Sequence, residues 1–170
     1  ITTTYTLDSV SDSKGCFSTL NDNVTLIVNE LPQVTLTSPT ETCDGDVIQL
    51  KFNFTAGVAP WIINYDVNGN PPTIIPINNA IDSIAISPSA TTTYTINSVT
   101  DNNNCVNNIA QTVVISTNPL PEVILSGGGS ICADGSTTDV NFNITSGTPP
   151  YNLQYSAGLN ANFVSNIGTI

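Results

Sequence analysis

An internal repeat constrains this chain more than any other feature of its sequence. Residues 2–12 read TTTYTLDSVSD and residues 91–101 read TTTYTINSVTD, and a cysteine follows each run, Cys16 and Cys105. The two tyrosines, Tyr5 and Tyr94, have the same spacing as the two cysteines, 89 positions (94 − 5 and 105 − 16). Because a fixed spacing of this size is the signature of a tandem array, we interpret the chain as consecutive copies of one structural unit.

A second set of matches continues the array towards the C-terminus. PQVTL at 32–36 recurs as PEVIL at 121–125, and Cys43 recurs 89 positions later as Cys132 (132 − 43). Beyond that cysteine the offset becomes 90 (142 − 52), because CADG carries one residue more than CDG. The sequence therefore predicts three segments. They are the C-terminal strands of a preceding repeat (1–30), a complete repeat (31–118), and the N-terminal strands of a following repeat (119–170).

The hydrophobic pattern predicts strands throughout, since apolar and polar residues alternate with period two and no stretch has a helical period. In the central segment Phe52 and Phe54 fall on one face of a strand, and Trp61 begins the inward face of the next. About seven short strands in roughly 89 residues, with frequent turns, are typical of an immunoglobulin-like sandwich. We therefore predict an all-β fold of tandem immunoglobulin-like β-sandwich repeats.

Local expectations follow from the same pattern. Tyr5, Leu7 and Ser9 should share one face of the first strand. Ser38–Asp46 should be a turn that carries Cys43. Apolar alternation predicts strands at residues 24–28 and 112–116, and short apolar stretches predict strands at 73–77 and 81–86.

Composition excludes several functions. Lys and Arg total 2 against 13 Asp and Glu, so the formal charge is −11, and nothing could neutralise nucleic-acid phosphates or anionic lipids. The chain has no His and no repeated inward-facing carboxylate pair, so it lacks the residues that general acid–base catalysis and a catalytic triad require. We therefore predict no catalytic site. No apolar run approaches the roughly 20 residues of a membrane helix, so we predict no membrane span here.

No metal or cofactor site is predicted either. Asp44 and Asp46 flank Gly45, and Asp134 precedes Gly135, but Asp-Gly is first of all a turn signal. Calcium needs six or more oxygens, and the sequence has no EF-hand-like run of acidic residues. The cysteines form no CxxC pair, which argues against zinc. We read them as the candidate disulfide cysteines of an exported protein: Cys16, Cys43, Cys105 and Cys132.

The pairing of these cysteines is left with two alternatives. Cys43 precedes the second strand of the predicted sandwich, and Cys105 follows the penultimate one; those strands run in the same direction, so the two turns lie at opposite ends. A strand of seven or eight residues separates them by roughly 25 Å, whereas a disulfide tolerates Cα atoms about 7 Å apart. We therefore favour staples between adjacent repeats, in which Cys43 bonds a cysteine beyond residue 170 and Cys105 one before residue 1. An intradomain Cys43–Cys105 bond is the alternative.

The chain resembles a known class of repeats. The TTTYT(I/L)xSVxD run with its cysteine, then LPxV, then CxG or CxDG, and GxPPY at 147–151, are similar to the Ig-like and PKD-like repeats of giant Bacteroidetes cell-surface adhesins. These include SprB-like gliding-motility adhesins exported by the type IX secretion system. The resemblance covers essentially the whole chain.

The resemblance implies a structural stalk segment of an extracellular adhesin at the outer-membrane surface, which serves gliding motility and surface attachment. Its partners would be neighbouring repeats of the same chain, and surface polysaccharide or other cells. Two other functions stay open: a carbohydrate- or ligand-binding module of a secreted protein, and a spacer domain in a secreted enzyme. Asp8-Ser9-Val10 and Asp82-Ser83-Ile84 are similar to the O-glycosylation sequon of that phylum, which makes Ser9 and Ser83 candidate glycosylation sites.

Overall fold

The computed structural model describes residues 2–156 and the backbone of residues 162–167. Ile1 and residues 157–161 and 168–170, which belong to the predicted first and third segments, lie outside the described residues. The described residues contain no helix and fourteen strands: β1 (Thr3–Ser11), β2 (Phe17–Leu26), β3 (Gln33–Thr37), β4 (Glu41–Cys43), β5 (Ile48–Ala56), β6 (Trp61–Val67), β7 (Thr73–Ile77), β8 (Ile81–Ile86), β9 (Thr92–Thr100), β10 (Val106–Asn118), β11 (Glu122–Gly127), β12 (Val140–Ser146), β13 (Tyr151–Ser156) and β14 (Asn162–Ile167).

The prediction of an all-β sandwich fold is confirmed. Strands β3–β10 form a three-stranded sheet, β3-β5-β8, and a five-stranded sheet, β4-β10-β9-β6-β7. The pairing of β4 with β10 is parallel, whereas β3–β5, β6–β7 and β6–β9 are antiparallel. The other strands form the two-stranded sheets β1-β2, β11-β12 and β13-β14. We call β1–β2 the C-half hairpin and β11–β13 the N-half strands, after the part of the repeat to which each corresponds.

The chain divides into two compact units. Unit one comprises Ile1–Thr37, Leu50–Ile84 and Tyr94–Val113, and unit two comprises Ser38–Gln49, Ala85–Thr93 and Val114–Ile170. Unit one holds most of the hydrophobic core. Its buried side chains come from both sheets: Val34, Leu36, Leu50, Phe52, Phe54, Trp61, Ile63, Ile77, Tyr94, Ile96 and Val99. Phe54 and Trp61, from different sheets, stack with ring centroids 4.3 Å apart.

Unit two contains the C-terminal end of the central segment and the N-half strands. Strand β4 lies beside the end of β10, where Cys43 pairs with Asn118. Ile115 of β10 is fully buried. In the N-half strands, the rings of Phe142 and Tyr155 contact each other at a centroid distance of 5.2 Å.

The expected bounds of two strands and one expected turn are wrong. Strand β2 runs for 10 residues, begins at Phe17 instead of residue 24 and ends at Leu26 instead of residue 28. Strand β10 runs for 13 residues and extends beyond 112–116 at both ends. Their polar ends are held by backbone pairing with neighbouring strands, which apolar alternation does not reveal. The stretch Ser38–Asp46 is not a simple turn, because Glu41–Cys43 forms β4 through its parallel pairing with β10.

Register shifts interrupt two of the strand pairs. In the C-half hairpin Leu7 pairs with Asp22 and Ser9 pairs with Thr19, so the extra residue lies in β2, opposite Asp8. In the central segment β9 carries the extra residue Asn97 against β6, and there Tyr94, Ile96 and Val99 are buried. A bulge reverses the alternation of faces. The shared face of Tyr5, Leu7 and Ser9 stays a prediction, since every residue of β1 is exposed.

We predict that truncation of Phe52 destabilises the central segment far more than truncation of its counterpart Phe142. Phe52 is fully buried, so Phe52→Ala should cost about 3–5 kcal/mol through lost burial and a cavity. Phe142 is only partly covered on its two-stranded sheet, so Phe142→Ala should cost less than about 1 kcal/mol in the same transition. Trp61 is the single tryptophan, so its fluorescence during urea unfolding reports on the central segment. Equal shifts for both variants would show that the predicted segment boundaries are wrong.

Candidate functional site

The candidate site consists of the turns that carry the cysteines and the residues that hold the chain where it enters the repeat. The first is the entry turn, residues 101–105. The Asp101 carboxylate oxygen Oδ1 accepts hydrogen bonds from the backbone N–H groups of Asn103 and Cys105, both at 2.9 Å. The Asp101 N–H donates to the Cys105 carbonyl at 3.1 Å, and the Asn104 N–H donates to the Asp101 carbonyl at 3.0 Å. The turn therefore closes on its own aspartate.

The C-half hairpin contains the same turn at residues 12–16. Asp12 Oδ1 accepts from the N–H groups of Lys14 and Cys16 at 2.9 and 2.8 Å. Gly15 stands where Asn104 stands in the entry turn, and both have a left-handed backbone, with φ of 84° and 61°. The turn forms in both places, although β1 and β2 pair only with each other whereas β9 and β10 lie in a five-stranded sheet. Its geometry is therefore set by the local sequence, as expected of an Asx turn.

Asp101 also joins two distant parts of unit one. Its second oxygen, Oδ2, accepts from the Val58 N–H at 3.1 Å, and the Asn102 N–H donates to the Val58 carbonyl at 2.9 Å. Burial raises the pKa of Asp101, but the N–H groups of Val58, Cys105 and Asn103 lower it more, so the pKa lies below its ordinary value of 3.8. Asp101 is 4% exposed. The ionised carboxylate is thus the form that stabilises the fold.

Sequence reasoning missed this role of Asp101. The available signal was an aspartate four residues before the cysteine in both copies, Asp12 before Cys16 and Asp101 before Cys105. In Asp12 the N–H groups of Cys16 and Lys14 are the main cause of a pKa below the ordinary value.

A proline and a glycine fix the chain where it enters the repeat. Pro32 is buried against Gly57, where φ is +88° and a Cβ would lie 2.8 Å from the Pro32 Cβ and 3.0 Å from the Trp61 Nε1. The Pro32 carbonyl accepts from the Asn107 side chain at 2.9 Å. Both the positive φ and the close contact require glycine at this position. We call this arrangement the entry clamp.

The N-half strands repeat the entry clamp. Gly147 has φ of +97°, and a Cβ there would lie 2.8 Å from the Pro121 Cα and 3.1 Å from the Tyr151 ring. Tyr151 replaces Trp61, and its hydroxyl donates to the Gly147 carbonyl at 2.9 Å. The clamp is therefore a property of each repeat and not of the central segment alone.

The exit turn follows β4 at residues 43–46. The Asp44 N–H donates to the Asn118 carbonyl at 2.9 Å, and the Asp46 N–H donates to the Cys43 carbonyl at 3.1 Å. These bonds hold Cys43 beside the last residue of β10. Asp44 and Asp46 thus belong to a turn, and the described residues contain no group of three or more Cys, Asp or Glu side chains placed to hold a metal ion.

A cavity of about 550 Å³ lies within unit two. Its lining includes Cys43 and Thr148, together with apolar side chains of the N-half strands: Val123, Ile144 and Leu153. The counterparts of these apolar residues in the central segment are Val34, Phe54 and Ile63, which are all buried. The cavity is therefore the uncovered part of a repeat core.

The structure places the predicted cysteines at separate positions. Cys43 lies beside Asn118, the last residue of β10, whereas Cys105 precedes Val106, its first residue. All four thiols, which lie within residues 2–156, are free in the structure, and Cys16, Cys43 and Cys132 are exposed. The connectivity stays a prediction.

The remaining candidate residues lie on the surface or in the core. Ser9 is exposed on β1 beside the register shift of the C-half hairpin, and Ser83 is exposed on β8, where its N–H donates to Asp82 at 2.8 Å. Glycosylation of either serine stays a prediction. Trp61 and Tyr94 are buried, Tyr65 is half-buried, and Tyr155 is exposed.

The fold and these turns define a β-sandwich protein of immunoglobulin-like character with the same entry geometry in successive segments. No protein-family model matches the chain. The chain is similar to Nucleoporin POM152 of Saccharomyces cerevisiae (strain ATCC 204508 / S288c), with 28% identity over 167 residues. The match covers 88% of this chain and 12% of the nucleoporin, so the chain spans a small part of that protein's length. Among the described residues no helix is long and apolar enough to cross a membrane.

We predict that Asp101→Asn lowers the melting temperature of the central segment by several degrees at about pH 7. A carboxylate with a depressed pKa stabilises the fold above its unfolded-state pKa, and this stabilisation is lost as the pH falls through the folded-state pKa. The difference between wild type and Asp101→Asn should therefore shrink as the pH falls through the lowered folded-state pKa of Asp101. Thermal melts followed by Trp61 fluorescence measure it. Asp12→Asn is the control, since Asp12 has the same turn bonds but, among the described residues, no contact equivalent to Val58. A loss of equal size at neutral and at acid pH would contradict the assignment.

A further prediction concerns the disulfides. In the native protein, Cys43 and Cys105 should each pair with a cysteine of an adjacent repeat, because the structure puts them at opposite ends of β10. Non-reducing peptide mapping of protein isolated from its source measures this. A peptide that links Cys43 to Cys105 would refute the staple.

Proposed function

We propose that this chain is a segment of a structural stalk, made of tandem immunoglobulin-like repeats, in a large bacterial cell-surface adhesin. In this proposal it is extracellular, associated with the outer membrane and not an enzyme. It serves gliding motility and surface attachment by holding an adhesive part away from the cell. Its direct partners are the neighbouring repeats of its own chain, and the adhesive part contacts surface polysaccharide or other cells.

The observation that carries the proposal is the repeated entry clamp. Pro32 packs on Gly57 and Trp61 in one segment, and Pro121 packs on Gly147 and Tyr151 in the next. A proline held in this way fixes the direction in which the chain enters each repeat. A stalk needs such junctions, because flexible Gly/Ser-type linkers would let successive domains collapse onto one another.

The aromatic side chains of the central segment favour a stalk over the alternative of a carbohydrate-binding module. Sugar-binding surfaces use exposed aromatic rings, whereas in this segment Trp61 is stacked on Phe54 inside the core and Tyr94 is buried. Tyr155 is exposed, but its ring packs on Phe142. The similarity to a nucleoporin, at 28% identity and over 12% of that protein, contributes nothing of that protein's role to the proposal.

The test is the shape of an array. Several consecutive 89-residue repeats should scatter X-rays as a semi-rigid rod, and the maximum dimension should grow by roughly 40 Å for each added repeat. The matched control is an array with six Gly/Ser residues inserted after each Asn118 equivalent, whose length should grow more slowly. A compact particle from the native array would refute the stalk. Binding of an isolated repeat to a glycan array would favour the carbohydrate-binding alternative.

A further inference from the structure

We propose that Asn68 is a covalent modification site of this protein and that Asp66 controls the reaction. When the turn between β6 and β7 opens, the Asn68 side-chain amide is converted to aspartate or isoaspartate through a cyclic imide with Gly69. While the turn is closed, Asp66 holds the reacting nitrogen away from the amide. This inference goes beyond the stalk function and does not depend on it.

Asn68 is distinguished by the residue that follows it. In the 170-residue sequence it is the only asparagine followed by glycine. A side chain on the following residue hinders the approach of the backbone nitrogen to the asparagine amide, and glycine has no Cβ. Gly69 is also surrounded by open space, since a Cβ there would meet no atom within 4 Å. Asn68, Gly69 and Asn70 are exposed, so water reaches the turn.

The reaction needs only the chain and a water molecule. The Gly69 nitrogen attacks the Asn68 Cγ, so an N–C bond forms and the Cγ–Nδ2 bond breaks. The proton of the Gly69 N–H passes to the departing nitrogen, which leaves as ammonia. Water then opens the cyclic imide at either of its carbonyl carbons and gives aspartate or isoaspartate, and ammonia takes up the proton of the new carboxyl group. No oxidant or reductant takes part.

The closed turn does not allow this attack. Asn68 and Gly69 have φ of 55° and 71°, and the Asn70 N–H and side-chain Nδ2 both donate to the Val67 carbonyl, at 3.1 and 2.8 Å. Positive φ at both central residues defines a type I′ turn, in which the first central residue has ψ of about +30°. At that ψ the Gly69 nitrogen lies almost opposite the Asn68 Cβ across the Cα–C bond. Attack on Cγ therefore requires a large rotation of ψ, which opens the turn.

Asp66 stabilises the closed form of the turn. Its Oδ1 accepts from the Gly69 N–H, the group whose nitrogen would attack, at 2.9 Å. Its Oδ2 accepts from the Asn97 side chain of β9 at 3.2 Å, so a neighbouring strand also fixes the carboxylate. Rotation of ψ at Asn68 would turn the Gly69 N–H away from Asp66 and break a charge-assisted hydrogen bond. Asp66 is therefore a positioning residue that keeps the reaction slow.

A carboxylate beside the attacking nitrogen has an alternative role, as the base that removes its proton. The geometry argues against this role, because a base accelerates the attack only when the nitrogen already faces Cγ. In the closed turn the same hydrogen bond keeps the Gly69 nitrogen turned away from Cγ. The two roles predict rate changes of opposite sign when Asp66 is removed.

Modification of Asn68 would loosen one edge of the five-stranded sheet. Isoaspartate adds a carbon to the main chain, which a two-residue turn does not accommodate, and either product places a new negative charge close to Asp66. Strand β7 is the last strand of this sheet, with β6 as its neighbour. Its Ile77 is buried and pairs with Trp61. The product would therefore weaken the pairing of β7 and leave a permanent record that the turn had opened.

The test measures the conversion of Asn68 in the 170-residue chain during incubation at mildly alkaline pH. Chymotryptic peptide mapping by mass spectrometry separates the asparagine, aspartate and isoaspartate forms. Asp66→Ala should raise the conversion rate of the folded chain by roughly tenfold or more, since it removes a hydrogen bond to a charged group. In urea, where the turn is lost, Asp66→Ala and wild type should convert at the same rate. That rate should exceed the rate of the folded wild type.

Two variants are the controls. Asp82→Ala removes a carboxylate of the same charge that accepts from the Ser83 N–H at 2.8 Å, and it should convert Asn68 at the wild-type rate. Asn68→Gln should show no comparable conversion at this position, because its longer side chain would need a larger ring. Urea unfolding followed by Trp61 fluorescence shows whether each variant is folded. If Asp66→Ala does not fold, Asp66→Asn, which keeps an acceptor oxygen without the charge, should show a smaller rise above the wild-type rate.

Several results would overturn the proposal. Slower conversion in folded Asp66→Ala would show that the carboxylate acts as a base, and an unchanged rate would show that it has no role. Equal rates in folded and urea-unfolded wild type would show that the turn does not protect Asn68. Faster conversion of another asparagine would show that the site is wrongly assigned.

The structural consequence has its own measurement. Chains that carry isoaspartate at position 68, isolated by chromatography from an aged sample, should lose amide hydrogen-exchange protection in β7 and keep it in β9. Unmodified chains from the same sample are the control. Unchanged protection of β7 in the modified chains would contradict the proposed loosening of the sheet edge.

Discussion

Trp61 stacks on Phe54 with ring centroids 4.3 Å apart, and this contact joins the three-stranded sheet to the five-stranded sheet in unit one. An aromatic pair of this kind contributes about 0.5–1.5 kcal/mol beyond the burial of its area. The larger contribution comes from the faces that it brings together, since Phe52, Ile63 and Ile96 are then fully buried. Where the second sheet is missing, residues of the same type in the same register stay exposed. The fold thus depends on one sheet covering the other.

The sequence pattern was sufficient for strands whose two faces differ clearly. Strands β7 and β8 have the predicted bounds, Thr73–Ile77 and Ile81–Ile86, because prolines, asparagines and serines bound short apolar stretches there. The pattern failed where only the pairing with a neighbouring strand makes a stretch of the chain a strand. Strand β4 has three residues, and only Thr42 is buried, so nothing local distinguishes it from a turn. The bulge at Asn97 is equally hidden, since the composition around it is that of a regular strand.

The candidate site was predictable in part for the same reason. The repeat showed which cysteines are counterparts in successive repeats. The turn at 101–105 follows from its own residues, because the same turn forms at 12–16. The contact of Asp101 with Val58 joins residues 43 positions apart, so only the folded chain reveals it. Gly57 looked like an ordinary turn glycine, whereas its packing against Pro32 and Trp61 makes it part of the entry clamp. Long-range contacts are the component that alternation and spacing do not encode.

Arrays of similar repeats have a hazard that follows from this division between local and long-range structure. Since turns and half-repeat registers form locally, a half repeat is ready to pair with the wrong partner before its own is available. Differences between successive cores limit such exchange, because a mismatched core packs less well. The entry clamp shows one such difference. Tyr151 satisfies its hydroxyl on the Gly147 carbonyl, whereas the buried Trp61 Nε1 finds no acceptor among the described residues. The two repeats therefore place different polar groups at the entry clamp, and a difference of this kind between cores limits exchange of halves between repeats.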